Sequence, residues 1–352
     1  MSTVVFASMD ADTLGGIQRV VHTVAQGLAE RGHDVHVVGL HRAADPASYV
    51  GFPRYSRHVI SPGPEPAWWA RRRTAALVGS LEPGFVVMTS PGVVTRMKDL
   101  LGLHQGIGQY HGSYAHARAC WHYASVKAHY GKLDQAVFLS PDDAWRFAEQ
   151  ALLPNTWDIP NPLADWPAEI AELDRHRVLA VGRLAGVKRF DRLITAFGRT
   201  GRSSWELHLV GDGPDEGRLR AHAVAEGVAD RVRFRGRIPA AEMAEEYRAA
   251  SLVALSSDHE GLPLVLAEAA SYGLPAVAHD VSGGIRALVR DGETGLLAPP
   301  GDVAALTAAL GTLMADTRER QRLGAAAREH ARQFKLPRVV DRWEELFTHL
   351  RR

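Results

Sequence analysis

The sequence predicts an α/β protein built from two successive parallel sheets. Short apolar segments rich in Val, Leu and Ala alternate with longer segments whose apolar residues recur at helical spacing. The alternation stops once, at a proline-rich segment around residues 160–167, and then starts again. Strands that alternate with helices pair in parallel through right-handed crossovers, so each half forms its own sheet. We therefore predict two Rossmann-like domains of similar size that face each other across a cleft.

The composition is that of an ordinary globular protein. The 352 residues allow two domains, 46% of them are hydrophobic and 23% are charged. A net charge of +1 creates no strong field for a polyanion, so we expect no nucleic-acid partner. Cys120 is the single cysteine, which excludes an internal disulfide and favours a reducing, cytoplasmic location. No apolar run approaches the ~18 residues of a membrane span, and the first residues predict a strand rather than a signal peptide.

The first half begins with a βαβ unit. A β-branched strand at 3–7 leads into a loop that ends in Gly15-Gly16, and a helix then continues to Gly32. A second strand follows at 33–40, whereas residues 50–66 are rich in Pro, Gly and Arg and are predicted to be irregular. The remaining predicted strands are 85–89, 107–111, 135–139 and 156–159, and the helices are 92–101, 114–130 and 141–150.

The second half repeats this alternation and ends in helices. Its predicted strands are 178–181, 205–210, 232–234, 252–255 and 294–297. Its predicted helices are 190–197, 216–226, 240–249, 264–273, 303–313, 318–334 and 339–350.

The segment 256–277 is the most informative part of the second half. Glu260 follows the predicted strand 252–255 and stands before the corner Gly261-Leu262-Pro263, where Pro263 suits the start of a helix. Glu268 lies on that helix among apolar residues, where a carboxylate needs a polar partner. Open α/β sheets bind anionic ligands at strand ends next to helix N-termini. The alternative is a surface glutamate in a loop and a second one at the edge of a buried helix.

Two other strand ends of the second half carry glycine-rich turns. In GRLAGVK (182–188), Gly182 is followed by Arg183 and Lys188 before a helix, which is typical of phosphate binding, although a charged surface turn remains the alternative. In GDGPD (211–215), Gly211, Asp212 and Gly213 precede a helix. Their spacing does not fit a dinucleotide fingerprint, and the turn favours a loop that approaches a ligand.

Taken in order, GRLAGVK, VGDGPD and EGLPLVLAEA resemble the retaining family-4 glycosyltransferases, which have the GT-B fold. The likeness extends to GGIQRVV near the start and to three further motifs, YHGSY, IPNPL and DGETGLL. It implies a metal-independent hexosyltransferase that uses a UDP-sugar, with GDP-mannose as second choice. The transferred sugar would be a hexose or N-acetylhexosamine, and the acceptor a hydroxyl of a glycan, a cell-wall polymer, a lipid-linked glycan or a small metabolite. The sequence does not indicate the oligomeric state.

The resemblance assigns roles in the second half. Arg183 and Lys188 match the pair that binds the donor diphosphate, and their charge would stabilise the leaving group in place of a metal ion. Glu260, with Gly261-Leu262-Pro263, matches the group beside the donor sugar, and Glu268 matches the residue that binds the ribose hydroxyls. Leu262 replaces an aromatic residue common in the family, and the sugar pocket is expected to differ there.

The resemblance also assigns roles in the first half. Gly16, next to Gly15, matches the glycine whose N–H meets the distal phosphate, and His111 matches a histidine that positions the transferred sugar.

The second half departs from the family at Ser282-Gly283-Gly284-Ile285, which replaces a Gly-Pro turn and predicts a looser chain there. The predicted domains are 1–160 for the acceptor, a linker 161–173, 174–333 for the nucleotide sugar, and a C-terminal segment 334–352 returning to the first domain.

Two metal sites compete with the metal-free prediction. Asp10-Ala11-Asp12 is a D-x-D string, which binds a metal in other glycosyltransferases, but Asp is also common in turns and caps. His111, His116, Cys120 and His122 are possible zinc ligands, since His116 and Cys120 lie one helical turn apart. His122 is expected to point elsewhere on the same helix. We therefore expect no metal and no cofactor.

Three functional alternatives stay open at this stage. The segment 68–73, WWARRR, combines aromatic and basic residues that suit an anionic polymer or a weak, peripheral contact with the inner face of a membrane. It equally suits a partly buried helix with a solvated face. The same fold would serve an NDP-sugar epimerase or phosphorylase, and a non-catalytic sugar-nucleotide-binding protein would carry similar turns.

Overall fold

The computed structural model describes residues 1–63 and 66–351, which divide into two compact units. Unit 1 comprises Met1–Ala164 with Phe334–Arg352, and unit 2 comprises Asp165–Gln333. The predicted linker 161–173 is thus divided between the units. Pro64 and Glu65, in the segment predicted to be irregular, and Arg352, in the predicted C-terminal segment, lie outside the described residues.

Unit 1 contains a sheet whose paired strands are all parallel. Its strands are β1 (Thr3–Ser8), β2 (Asp34–His41), β3 (Ser56–Ser61), β4 (Phe85–Met88), β5 (Gln105–Gln109), β6 (Gln135–Phe138) and β7 (Thr156–Asp158). Their order is β3-β2-β1-β4-β5-β6-β7. The sequence missed β3 because this edge strand is mostly polar and half exposed, so no apolar run marks it.

The helices of unit 1 connect these strands. In the part before unit 2 they are α1 (Gly16–Glu30), α2 (Ala67–Gly79), α3 (Pro91–Met97), α4 (Tyr114–Arg118), α5 (His122–His129) and α6 (Pro141–Ala151). The single helix predicted over 114–130 is wrong, because α4 ends where the N–H groups of Ala119 and Cys120 bond carbonyls three residues back. The chain becomes helical again at His122, the first residue of α5.

Unit 2 contains the second parallel sheet. Its strands are β8 (Arg177–Val181), β9 (Glu206–Val210), β10 (Val232–Gly236), β11 (Leu252–Leu255), β12 (Ala276–His279) and β13 (Gly295–Ala298). The helices are α7 (Phe190–Arg199), α8 (Glu216–Ala225), α9 (Met243–Arg248), α10 (Leu264–Ser271), α11 (Gly283–Leu288), α12 (Val303–Ala315) and α13 (Thr317–Ala331). The order β10-β9-β8-β11-β12-β13 reverses between β8 and β11. The carboxyl ends of β8 and β11 therefore flank the position where open α/β sheets bind ligands.

The central strands of each sheet are buried on both faces, as is usual for parallel sheets. Val86 in β4 and Val178 in β8 have no exposed surface, and neither has Leu323 on α13, which packs into the core of unit 2. The two parallel sheets confirm the predicted α/β class with two Rossmann-like domains. Among the described residues, the helices include none with the length and apolar character needed to cross a membrane.

A last helix, α14 (Leu336–Leu350), follows unit 2 in the chain but belongs to unit 1. Its Trp343 ring lies 5.7 Å from that of Phe6 in β1, and its Phe347 ring stacks at 4.4 Å on that of Phe85 in β4. Arg31 at the end of α1 binds Asp341 at 2.7 Å between Nη1 and Oδ1. The helix therefore completes the core of unit 1.

Candidate active site

An ion pair at the switch point of unit 2 joins two of the predicted site residues. Lys188 Nζ donates to Glu260 Oε1 at 2.7 Å, and Ser257 Oγ donates to the same oxygen at 2.6 Å. The side chains of Lys188 and Glu260 keep 20% and 11% of their surface exposed, so both remain accessible to a ligand. The pair links the loop after β8 to the loop after β11, the two strands on either side of the reversal.

The loop of Lys188 is fixed by the end of β11. The N–H of Asp258 donates to the carbonyl of Val187 at 2.9 Å. The Ser256 hydroxyl lies 2.9 Å from the carbonyl oxygens of both Lys188 and Arg189 and shares its single proton between them. The backbone that carries Lys188 is thus bound to the backbone that carries Glu260, which sets the direction of the lysine before any ligand binds.

A cluster of charged residues next to Lys188 stabilises this loop. Arg189 has a left-handed backbone, with φ of 48°, and its guanidinium binds Asp191 and Asp258. Arg192 also binds Asp258. Burial alone would raise the pKa of Asp258, but the hydrogen bonds from Arg192 and Arg189 outweigh it and hold that pKa below its ordinary value. Asp258 is therefore ionised at neutral pH and anchors both arginines.

The glycines after β8 and β9 allow two loops to touch backbone to backbone. A Cβ on Gly211 would lie 2.0 Å from the carbonyl oxygen of Gly182, and one on Gly213 would lie 2.3 Å from that of Leu184. The N–H of Leu184 donates to the carbonyl of Asp212 at 2.7 Å. These glycines are therefore needed for loop packing, whether or not a ligand also approaches them.

The corner Gly261-Leu262-Pro263 is tightly packed rather than loose. A Cβ on Gly284 in α11 would lie 1.7 Å from the carbonyl oxygen of Gly261. Ser282 caps α11 by accepting from the N–H of Ile285, and its hydroxyl donates to the same Gly261 oxygen at 3.3 Å. The looser turn expected in this segment is therefore wrong, because two glycine backbones meet there. Leu262 is only 3% exposed.

The remaining predicted residues of unit 2 are more separate. Glu268 lies half-buried on α10 and accepts a hydrogen bond from the Tyr247 hydroxyl at 2.5 Å. The Tyr247 ring in turn stacks on that of Tyr272 at 5.2 Å. Arg183, in the loop after β8, is exposed. Sequence reasoning missed Tyr247, which no local pattern marks, and Ser257, whose place at a strand end three residues before Glu260 could have revealed it.

In unit 1, the Gly15-Gly16 loop leads into the N-terminus of α1. The Gly15 N–H donates to the Tyr49 hydroxyl at 2.8 Å, and this hydroxyl donates to the carbonyl of Thr13 at 2.7 Å. No acidic residue occupies the first turn of α1, and a Cβ on Gly16 would meet nothing within 4 Å. The loop is therefore braced by Tyr49, and it presents open space and positive helix polarity at Gly16.

His111 follows β5 at the carboxyl edge of the first sheet. Among the described residues its Nε2 is buried and has no hydrogen-bond partner. Burial lowers the pKa of His111 to about 4, so the imidazole is neutral at pH 7. An uncharged ring suits the positioning role that the resemblance implies. It does not suit a role in which His111 would act as a cation.

The D-x-D string is used by the fold. Asp10 Oδ1 accepts from the N–H of Thr13 at 2.8 Å in a turn, and Asp12 pairs with Arg57.

The aromatic pair of the segment 68–73 lies on the surface of α2. Trp68 and Trp69 are 59% and 43% exposed, and their rings stack at 4.7 Å.

The prediction about His122 is wrong. The ligand atoms of His116, Cys120 and His122 lie within 4.8 Å of one another, in a group that does not include His111. The reason is the break between α4 and α5, which returns His122 toward His116. The group is separate from the ion pair of unit 2, and its chemistry is considered below.

Two parallel sheets, one with a basic, glycine-rich strand end at its switch point, define an α/β protein whose second sheet has the features of a phosphate-binding edge. The family model for Glycosyltransferase Family 4 matches residues 14–162, and the one for glycosyl transferases group 1 matches residues 165–330. The chain therefore belongs to the glycosyltransferases, of the family-4 type with the GT-B fold, which confirms the resemblance.

Curated relatives match to different extents. An exopolysaccharide phosphotransferase of Streptomyces coelicolor is 38% identical over 195 residues, which are 54% of this chain and 20% of that protein. A D-inositol 3-phosphate glycosyltransferase of Thermomonospora curvata is 38% identical over 186 residues, 50% of this chain and 43% of that protein. An uncharacterized glycosyltransferase of Haemophilus influenzae is 24% identical over 360 residues, 98% of this chain and 99% of that protein. The chain spans less than half the length of the first two.

Solved structures share the fold over the full length. Sucrose-phosphate synthase from Thermosynechococcus elongatus has a TM-score of 0.83 at 21% identity and covers 99% of both chains. Anabaena HepE in complex with UDP has a TM-score of 0.83 at 19% identity, over 99% of this chain and 100% of that one. At these identities the likeness establishes the fold alone.

Proposed function

We propose that the protein is a retaining hexosyltransferase that moves a hexose or N-acetylhexosamine from a UDP-sugar to a hydroxyl acceptor, with GDP-mannose as the second donor. The observation that carries the proposal is the Lys188–Glu260 ion pair at the switch point of unit 2. The pair supports the proposal because a cation suits phosphate and a carboxylate suits sugar hydroxyls, and the two lie in contact at the edge where open α/β sheets bind ligands. The UDP bound by HepE and the glycosyl transfer named for the Thermomonospora relative support the donor class.

The chemistry asked of unit 2 is stabilisation of a leaving diphosphate. As the bond from the sugar to the phosphate breaks, negative charge grows on the phosphate oxygens, and Lys188 and Arg183 supply compensating charge. Lys188 has three donors, so it can keep Glu260 while it binds phosphate. Arg183, exposed in the same loop, can bind phosphate through two N–H groups. Neither interaction requires a metal ion.

The other predicted residues have supporting roles in this proposal. Glu268, oriented by Tyr247, accepts hydrogen bonds from the ribose hydroxyls. Glu260 and the Gly261-Leu262-Pro263 corner bind the transferred sugar. Unit 1 is proposed to bind the acceptor, which would be a glycan, a cell-wall polymer, a lipid-linked glycan or a small metabolite. In this proposal Gly16 of unit 1 binds the distal phosphate of the donor, and the neutral His111 positions the transferred sugar.

The test is to incubate the protein, in the presence of EDTA, with UDP-hexoses, UDP-N-acetylhexosamines and GDP-mannose after a thermal-shift screen has selected the donor that binds. Release of the nucleoside diphosphate with formation of an α-linked product from an α-linked donor is expected. An epimerase would convert the donor sugar into its epimer without net transfer to an acceptor, and a phosphorylase would require inorganic phosphate. Ligand-induced stabilisation without any turnover against a broad set of acceptors would indicate a binding protein, and a strict Mg²⁺ requirement would favour the D-x-D alternative.

A further inference from the structure

Unit 1 contains a compact group of nitrogen and sulfur ligands that the proposed transfer does not use. It consists of His116, Cys120 and His122, and we call it the His-Cys-His cluster. The ligand atoms of all three lie within 4.8 Å of one another, and Cys120 Sγ is 3.9 Å from His116 Nε2. Each side chain is partly buried, so the cluster is neither a solvated surface nor a sealed core.

These separations are close to those of a bound transition metal. A tetrahedral Zn²⁺ with bonds of about 2.3 Å to sulfur and about 2.0–2.1 Å to nitrogen places its ligand atoms about 3.3–3.7 Å apart. The His-Cys-His cluster needs side-chain shifts of less than about 1 Å to reach that geometry, and two imidazoles with one thiolate are a donor set that Zn²⁺ prefers. Three protein ligands leave the fourth position to water.

The neighbouring groups hold the cluster in shape. The Tyr110 hydroxyl lies 3.1 Å from His122 Nδ1, and the Trp121 ring meets the His122 ring edge-on at 4.5 Å. Coordination through Nε2 of His122 would keep the first contact, with Nδ1–H donating to Tyr110, as metal-bound histidines usually donate their second N–H. Tyr110 directly precedes His111, so a metal at this cluster would also fix the loop that carries His111.

We propose that the His-Cys-His cluster binds one Zn²⁺ or a similar borderline-soft divalent ion, as a structural clip between α4 and α5. The thiol of Cys120 loses its proton to the solvent and both imidazoles bind in their neutral form, so binding releases protons. The proposal does not depend on glycosyl transfer, because the cluster is distinct from the Lys188–Glu260 pair.

Co²⁺ is the probe of choice for the test, because a thiolate–cobalt bond gives a charge-transfer absorption band. Metal-free reduced protein titrated with Co²⁺ should show this band, saturating at one equivalent, and Zn²⁺ should displace it. Since Cys120 is the only cysteine of the sequence, any such band reports on this position. The band should vanish in Cys120→Ser, and His116→Ala or His122→Ala should weaken binding by at least about 10- to 100-fold. His129→Ala, on the same helix α5 but outside the cluster, should bind as the wild type does.

A second measurement needs no variant. Zn²⁺ at one equivalent should slow the alkylation of Cys120 in the wild-type protein and raise its melting temperature, and a chelator should reverse both effects. The proposal is overturned if the wild type gives no charge-transfer band and no protection, or if His116→Ala and His122→Ala both bind Co²⁺ as tightly as the wild type. In the latter case the thiol alone would bind an adventitious ion.

Discussion

Lys188 is the residue on which the proposed chemistry depends most, and its removal is the first prediction. Lys188→Ala should lower turnover by about 10²- to 10³-fold, because one preorganised charge at a developing anion contributes about 3–4 kcal/mol to the transition state. Folding should survive with a lower melting temperature, since Glu260 is only 11% exposed and loses its cation but keeps the hydrogen bond from Ser257. The measurement is nucleoside-diphosphate release under saturating donor, together with a thermal melt.

Lys98→Ala is the matched control for this prediction. Lys98 is also ion-paired, to Asp99 at 2.8 Å, but it lies in unit 1 after α3. Truncation there removes the same atoms and a similar contact without touching the switch point of unit 2. Near-normal turnover in Lys188→Ala, or equal losses in the two variants, would contradict the role proposed for Lys188.

Tyr247 acts through Glu268, and its hydroxyl can be removed without changing the ring. Tyr247→Phe should raise the donor KM by about 3- to 10-fold and leave kcat nearly unchanged, because a typical hydrogen bond contributes about 0.5–1.5 kcal/mol and binding of the ribose is the same in ground and transition states. Tyr272→Phe alters the stacked neighbour and should leave the KM as it is. A kcat loss with constant KM would instead place Glu268 in the chemical step.

Single residues show where sequence reasoning succeeds. Lys188 and Glu260 were predicted because short motifs fix them at strand ends, and parallel strands bring those ends together. Tyr49 and Tyr247 could not be predicted, because each reaches its partner across a loop or helix whose course depends on the whole unit. His122 was misplaced because one helical period was applied across a break.

At the scale of elements, the contact between α11 and the corner after β11 decides the shape of the proposed sugar pocket. Gly284→Ala would add a methyl group 1.7 Å from the Gly261 oxygen, so α11 or the corner must move. We expect a loss of about 1–3 kcal/mol of unfolding free energy, the usual cost of overpacking, and reduced turnover because Glu260 adjoins Gly261. Chemical denaturation and the transfer assay measure the two effects.

Gly311→Ala provides the opposite case. Gly311 lies inside α12, and a Cβ there would meet nothing within 4 Å. The substitution should stabilise unit 2 by about 0.5–1 kcal/mol, because alanine is the better helix former. If Gly284→Ala were equally harmless, the backbone contact at the corner would carry no constraint.

The strands that were easiest to predict are those that form separate apolar runs in the sequence. The central strands β1, β4, β8 and β11 are continuous apolar runs, which the sequence displays directly. The edge strand β3 has exposed polar residues and was missed, and the short strand β12 was not separated from the segment that follows α10. Edge pairing is decided by the neighbouring strand rather than by local composition.

At the scale of the whole molecule, buried histidines predict a loss of stability in acid. Burial lowers the pKa of seven of them, in both units: His22, His58, His111, His122, His208, His279 and His330. Each takes up its proton at higher pH in the unfolded chain than in the folded one. The folded state therefore loses stability as the pH falls below about 6.5.

The share of this stability loss that comes from His111 follows from its pKa. Its pKa of about 4 in the folded state, against 6.5 when unfolded, corresponds to about 2 kcal/mol lost between pH 7 and pH 5. His111→Gln should remove that share of the pH dependence of unit 1, as measured by urea denaturation at both pH values. His41→Gln, at an exposed position, should keep the wild-type slope. An unchanged slope in His111→Gln would show that His111 is solvated in the folded protein.

The return of the chain to unit 1 leads to the last prediction. Trp343 on α14 is 1% exposed and packs on Phe6, so Trp343→Ala should cost unit 1 about 3–5 kcal/mol. Leu323→Ala on α13 should cost unit 2 about 2–5 kcal/mol, because Leu323 is fully buried there. The two positions are only 20 residues apart in the chain, but they belong to different units, and each unit has its own core. Hydrogen exchange should therefore show weaker protection in β1 and β4 for Trp343→Ala. For Leu323→Ala, the weaker protection should be in β8 and β11. Weaker protection in the same strands for both variants would mean that α14 and α13 stabilise one common core.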